Sequence, residues 1–218
     1  METRIHPDCI SAVEDAAKLC EGLGHVVEEI NPHELSYPEL SRTFGQIFSC
    51  NAGRVIAYWE EELGKKINQD EVEAMTWASA QAGLRRTGAD YLGCTERIQR
   101  FARKMARWFH WGGYDMLLTP TLSLPPVKLG SFEPTSDDPR SGFKTTNAFV
   151  ALTYIQNLTG QPAMSVPLYW TKDRIPIGVQ FAARFGDEAG LFRLAAQLEK
   201  ERPWAQRKPP LHCSHSED

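Results

Sequence analysis

Apolar positions recur at helical spacing over most of the first half of the chain, then change to runs of strand length. Behind Asp8, placed as an N-cap, Ile10, Val13, Ala17 and Leu19 or Cys20 mark one face of a helix that Gly22 and Gly24 stop. His25 to Ile30 then reads as a short strand closed by Asn31-Pro32. With Pro7 and few residues ahead of Asp8, this pair reads as the second half of an alternating α/β unit whose first strand is short or absent.

From Pro38 to Trp111 the pattern is mostly helical. Pro38 suits a first helical turn, and Leu40, Phe44, Ile47, Phe48, Val55, Ile56 and Trp59 form a long apolar stripe. Asn68 or Asp70 caps a second helix through Val72, Met75 and Trp77, weakened at Gly83 and ended at Gly88. Asp90 caps a third, with Ile98, Phe101, Met105, Trp108 and Phe109 on one face, and Gly112-Gly113 ends it.

The period then shortens. Asp115 to Thr119 is a buried-strand run ended by Pro120, and residues 120 to 146 form a long irregular loop rich in Pro, Ser, Asp and Gly. An apolar segment leads to Gly160. Ala163 to Trp170 and Ile175 to Phe185 read as an antiparallel pair across a turn near Lys172-Asp173. A last helix runs from its N-cap Asp187 through Leu191, Leu194, Ala195 and Leu198 to about Glu201, where Pro203 stops it. Residues 1–204 make the domain, and 205–218 a loose polar tail. The fold class is α/β, with a mixed sheet flanked by helices.

Composition narrows the function classes. At 218 residues, 42% hydrophobic and 24% charged, the chain is of ordinary globular type. A net charge of -4 gives no general attraction to nucleic acid or anionic membrane, and no apolar run is long enough to span a bilayer. Five cysteines at scattered spacings (Cys9, Cys20, Cys50, Cys94 and Cys213) argue against a secreted disulfide framework and for a reducing, cytoplasmic setting.

Several motifs are weak. Ser141-Gly-Phe-Lys144 has the Ser-x-x-Lys spacing of penicillin-recognising enzymes, but stands in a proline-rich stretch without their partner motifs. His212-Cys213-Ser-His215, even with His6 and Cys9, does not present a tetrahedral metal site, so no metal or cofactor is expected. Arg97, Arg100, Arg103, Lys104 and Arg107 form the solvated face of an amphipathic helix. Gly22-Leu-Gly24 follows a helix rather than a strand, so it is no dinucleotide fingerprint.

Two segments carry more. Thr119-Pro120-Thr121 follows an apolar strand, and ligands of open α/β sheets gather beyond strand C-termini. In Asn157-Leu-Thr-Gly-Gln-Pro162, Gly160 permits close backbone approach while Asn157, Thr159 and Gln161 offer hydrogen-bonding groups. A turn entering a buried strand needs the same Gly and Pro, and that reading stays open.

Asn157 to Pro167, together with Tyr114 to Thr121, Ile175 to Phe181 and Gly186 to Ala189, resembles the C-terminal half of the amidase signature family in order and spacing. His6 to Glu29 and the helical region fit more loosely. Within the family the chain is similar to bacterial amidases, including those grouped with 6-aminohexanoate-cyclic-dimer hydrolases.

The resemblance implies hydrolysis of a small amide by a Ser–Ser–Lys triad, in which lysine deprotonates a bridging serine that activates the nucleophile. The Gly-Ser-Ser-Gly-Gly segment that bears the family's nucleophile does not occur here, so no catalytic residue can be assigned. What the resemblance leaves to this chain is pocket lining by Thr121, Asn157, Thr159, Gly160 and Gln161, with no activity expected in isolation. The alternative is a non-catalytic binding or assembly module. An open sheet edge is expected to drive self-association or capture of a partner segment. One departure concerns the hairpin. The family usually has glycine after Asp173, but Arg174 stands here, and arginine resists positive φ, so another turn type is expected.

Overall fold

The computed structural model describes residues 4–30, 39–133, 137–138 and 141–209. Seven α-helices and three strands succeed one another along these residues. They are α1 (Pro7–Gly22), α2 (Leu40–Leu63), α3 (Ala74–Leu84), α4 (Gly88–Gly112), β1 (Met116–Pro120), α5 (Ser141–Phe149), α6 (Tyr154–Thr159), β2 (Ala163–Trp170), β3 (Pro176–Ala183) and α7 (Glu188–Glu201). The strands form one sheet in the order β1-β3-β2, with both pairings antiparallel. Among the described residues no parallel pair makes the sheet mixed. Among the described residues, 25–30 join no ladder, and Val26 is almost fully exposed, so the strand expected there is not formed among them.

Alternation in β3 separates two layers. Ile177, Val179, Phe181 and Ala183 face a core closed by Cys9, Ala12, Ala16 and Cys20 of α1 and by Leu191, Leu194 and Leu198 of α7. Burying each such leucine contributes roughly 1.5–3 kcal/mol. The Arg202 guanidinium clasps this layer, bonding the Asp15 carboxylate of α1 and the Leu168 carbonyl of β2. A second core gathers Leu40, Phe101, Met105 and Phe109, with Leu117, Tyr154, Ile155 and Leu158 packed against them.

Local starts and stops differ from the sequence reading in instructive ways. The N-cap of α1 is His6, whose Nδ1 accepts from the Asp8 amide, because Pro7 occupies the first helical position and moves the start two residues upstream. Asn68 caps only a single 3-10 turn (Gln69–Glu71), and α3 begins afresh at Ala74. Gly88 does not end a helix but opens α4 behind a Thr87–Asp90 capping box. Pro38 and the tail beyond 209 lie outside the described residues. Residues 205–209 include a turn with Arg207 stacked 3.9 Å from the centroid of Trp170.

The turn joining β2 to β3 is a correction. Arg174 does adopt a positive φ, 63°, and is the one non-glycine residue to do so among those described. The hairpin holds it there: Thr171 N donates to Ile175 O (3.0 Å), Arg174 N to Thr171 O (2.9 Å) and Ile175 N to Thr171 Oγ1 (3.1 Å). In the helical layer, α2 and α3 cross at Gly53 and Gly83. A Cβ at Gly83 would lie 1.8 Å from the Ser49 carbonyl oxygen.

Candidate functional site

On the face of β3 away from α1 and α7, the alternate positions are Gly178 and Gln180. Pro120 ends β1, and the next residue, Thr121, donates its backbone N–H to Gly178 O at 3.2 Å. That places the Thr121 hydroxyl 2.7 Å from the Ser165 hydroxyl of β2, with either able to donate. The pair lies across the bare backbone of Gly178, where a Cβ would meet Ser165 Oγ at 2.7 Å and Thr121 Oγ1 at 3.0 Å. The hydroxyls line a cleft of about 140 Å3, whose other walls include Cys9, Leu122, Leu124 and Ile177. Burial, and then the nearby Asp8 charge, push the Cys9 thiol pKa up, which disfavours the nucleophilic thiolate.

The polar file continues inward. The Gln180 amide, 5% exposed, donates to Thr119 Oγ1 at 3.2 Å and faces Gln156 Oε1 of α6 at 3.5 Å; Gln156 is 8% exposed. At the end of α6, Gly160 takes φ 73° as the C-cap and its N–H reaches Gln156 O at 2.9 Å. The Thr159 hydroxyl lies 3.0 Å from Ile155 O and 3.2 Å from Gln161 Oε1, while Gln161 Nε2 donates to Ala183 O at 2.9 Å.

The five candidate residues therefore fall into separate places. Thr121 stands in the cleft. Thr159 and Gln161 are buried and tie the end of α6 to β3, with Gly160 supplying the bend between them. Asn157 is exposed on α6 and makes no side-chain hydrogen bond among the described residues. Ser165, Gly178, Gln180 and Gln156 were not singled out from the sequence. A glycine inside a strand pattern was the available signal, since it often marks close approach by another group.

The weaker motifs also find their places. Ser141 opens α5 and donates to Asp138 O at 2.8 Å, so a helix begins inside the stretch read as loop; the Lys144 side chain lies outside the described residues. Among the described residues no three His, Cys, Asp or Glu side chains gather as a metal site. His212, Cys213 and His215 lie outside them. Of the basic stripe on α4, Arg97 turns toward α2 and bonds Thr43, Gln46 and Cys94. No helix among the described residues is long and apolar enough to cross a membrane. Chemically, the sheet face presents hydroxyl and carboxamide groups that both donate and accept, as an amide ligand does.

The family described as Amidase matches residues 1–192, and the chain belongs to it. It is 30% identical over 214 residues to the 6-aminohexanoate-cyclic-dimer hydrolase of Paenarthrobacter ureafaciens, a match covering 95% of this chain and 43% of that protein. The enzyme of that name from Pseudomonas sp. (strain NK87) is 30% identical over 212 residues, with the same coverage. The solved structure of a 6-aminohexanoate cyclic dimer hydrolase complexed with substrate superposes with a TM-score of 0.87 at 29% identity, covering 94% of this chain and 44% of that one. The chain thus spans less than half the length of these relatives.

Proposed function

We propose that this chain forms the substrate-lining wall of an amide-hydrolysing site, with the nucleophile, base and oxyanion donors supplied by residues outside it. The observation that carries this reading is the Thr121–Ser165 hydroxyl pair over Gly178, at the mouth of a cleft in an amidase-family fold. Hydroxyls at that spacing can orient a carboxamide, and orientation alone contributes much of an enzyme's advantage. Thr121, Asn157, Thr159, Gly160 and Gln161 are the proposed binding residues. Thr121 would touch the ligand, while Thr159, Gly160 and Gln161 set the wall. The names of the relatives make a cyclic or linear amide of an amino acid the first substrate to try.

The isolated chain is expected not to turn over amides, because its sequence holds no Gly-Ser-Ser-Gly-Gly segment. Each outer strand of the described sheet pairs on one side only, which supports association with a second copy or a partner segment. The free thiols of Cys9, Cys20, Cys50 and Cys94 support a cytoplasmic setting. The test measures amide turnover and active-serine labelling of the 218-residue chain, alone and mixed with the N-terminal half of a full-length family member. Turnover only in the mixture, reduced by Thr121→Val, is the expected result. Labelling and turnover by the chain alone would overturn the division of labour, and binding without turnover in either case would favour the non-catalytic module.

A further inference from the structure

A second cavity lies away from the sheet, between the first turns of α2 and the first half of α4. Its volume is about 270 Å3, and Glu39, Arg42, Thr43, Gln46, Asp90 and Arg97 line it. It shares no residue with the Thr121–Ser165 cleft. Drug-sized ligands occupy pockets of roughly 300–1,000 Å3, so an occupant here is small.

The charges in this cavity are arranged unusually. Arg97 is held by neutral groups only: Nε donates to Thr43 Oγ1 at 3.2 Å, and Nη2 to Gln46 Oε1 at 3.2 Å and Cys94 Sγ at 3.1 Å. Thr43 and Cys94 are fully buried, so two of these anchors cannot drift. Nη1 makes no hydrogen bond among the described residues. Asp90 accepts both Thr87 bonds on Oδ2, from the backbone at 2.9 Å and the hydroxyl at 2.8 Å, which leaves Oδ1 without a partner. The side chains of Glu39 and Arg42 make no bond or ion pair among the described residues.

Two cations and two carboxylates therefore line one small cavity, and among the described residues none is within 4.0 Å of an opposite charge, Arg86 acting on Asp90 from farther away. Glu39, Arg42 and Asp90 are exposed at the rim, whereas Arg97 is half-buried and its direction is fixed by neutral partners. A ligand carrying both a carboxylate and an ammonium would satisfy the two halves together, the first on the Arg97 and Arg42 guanidinium groups and the second on Asp90 Oδ1 and Glu39. We propose that this cavity is a binding site for a small zwitterion, a free amino acid, distinct from the amide-lining face.

The test titrates glycine, 4-aminobutyrate and 6-aminohexanoate into the 218-residue chain by calorimetry, with butyrate and n-butylamine as one-charge controls. At least one amino acid should bind saturably, and the controls at least about tenfold more weakly, a difference of about 1.4 kcal/mol. Arg42→Ala and Glu39→Gln should each weaken binding about fivefold or more without moving the melting temperature, since neither side chain is bonded to the fold. Arg97→Lys should weaken it too, because the fork that sets its direction is lost. Absence of saturable binding, equal binding of a one-charge control, or indifference to both Arg42→Ala and Glu39→Gln would each overturn the proposal. None of these outcomes depends on amide turnover, so the two readings fail independently.

Discussion

Replacing Gly83 with alanine should unfold this protein more readily, although alanine is the better helix former. Two effects compete. In a helix interior the change relieves glycine's backbone entropy and contributes roughly 0.5–1 kcal/mol of stability. Against it, the new Cβ would stand 1.8 Å from Ser49 O, 2.4 Å from Ser49 C and 2.8 Å from Cys50 N. These are backbone atoms of α2, so no rotamer change relieves the contact. Carbon contacts sit near 3.5–4.0 Å, so α2 and α3 must part by roughly 1.5 Å and forfeit packing along their crossing. Overpacking of this kind costs about 1–3 kcal/mol and sometimes more.

The clash should win by roughly 1 kcal/mol, a fall in melting temperature of about 2–4 °C for a chain of this size. Gly45 supplies the control, because it lies in α2 with nothing within 4 Å of its would-be Cβ. Gly45→Ala should raise the melting temperature by a few degrees. Thermal unfolding followed by circular dichroism at the helix band reads both. A Gly83→Ala protein that melts at or above wild type would show that the helices do not cross as closely as described.

Three further outcomes follow from named contacts. Arg174→Gly should gain about 0.5 kcal/mol by thermal melting, since left-handed backbone costs arginine about 1–2 kcal/mol and glycine's unfolded-state entropy returns about 0.4–1 of that; a clear loss would contradict the strained turn. Gly178→Ala should cost about 1–2 kcal/mol by pushing the Ser165 and Thr121 hydroxyls aside, and adding Ser165→Ala should recover most of it, so additive losses in that double-mutant cycle would place the hydroxyls elsewhere. Hydrogen bonds from the Thr87 backbone and then its hydroxyl hold the Asp90 carboxyl below its usual pKa. Its contribution to stability is therefore present above the ordinary aspartate range and lost as pH falls through the depressed value. Carbon-detected NMR titration should show Thr87→Ala, which removes the hydroxyl bond and keeps the backbone one, raising that pKa part of the way, and an unchanged value would remove the hydroxyl as one of its causes.

Elements whose signals are local were legible in the sequence. The β2–β3 pair, the amphipathic face of α4 and the Asp187 cap of α7, which accepts from Gly190 N at 2.9 Å, follow from period and cap chemistry, although α4 is capped by Thr87 and Asp90 is its third residue. Residues that depend on a distant neighbour were not. Gly83 reads as a helix weakener until Ser49 is beside it, and Arg174 reads as unable to turn until Thr171 and Ile175 hold it. Residues 25–30 carry strand-like side chains, but pairing needs an edge that the pattern cannot reveal. Within the candidate cleft, Thr121 was visible as the residue after a proline-ended strand. Its partner Ser165 was not, because a serine in a strand has no motif and gains meaning only from the residue opposite.

The two-residue rhythm of β3 also bears on how this protein tolerates change. Odd-numbered positions 177 to 183 contact the packed layer of α1 and α7, whereas 178 and 180 look onto hydroxyls and carboxamides. A saturation scan along this strand should therefore lower protein abundance at both parities for different reasons, through lost apolar packing at the odd positions and through displaced hydroxyls or unpaired carboxamides at 178 and 180. One strand thus joins two ways of losing the fold, one through apolar packing and one through polar groups left without partners.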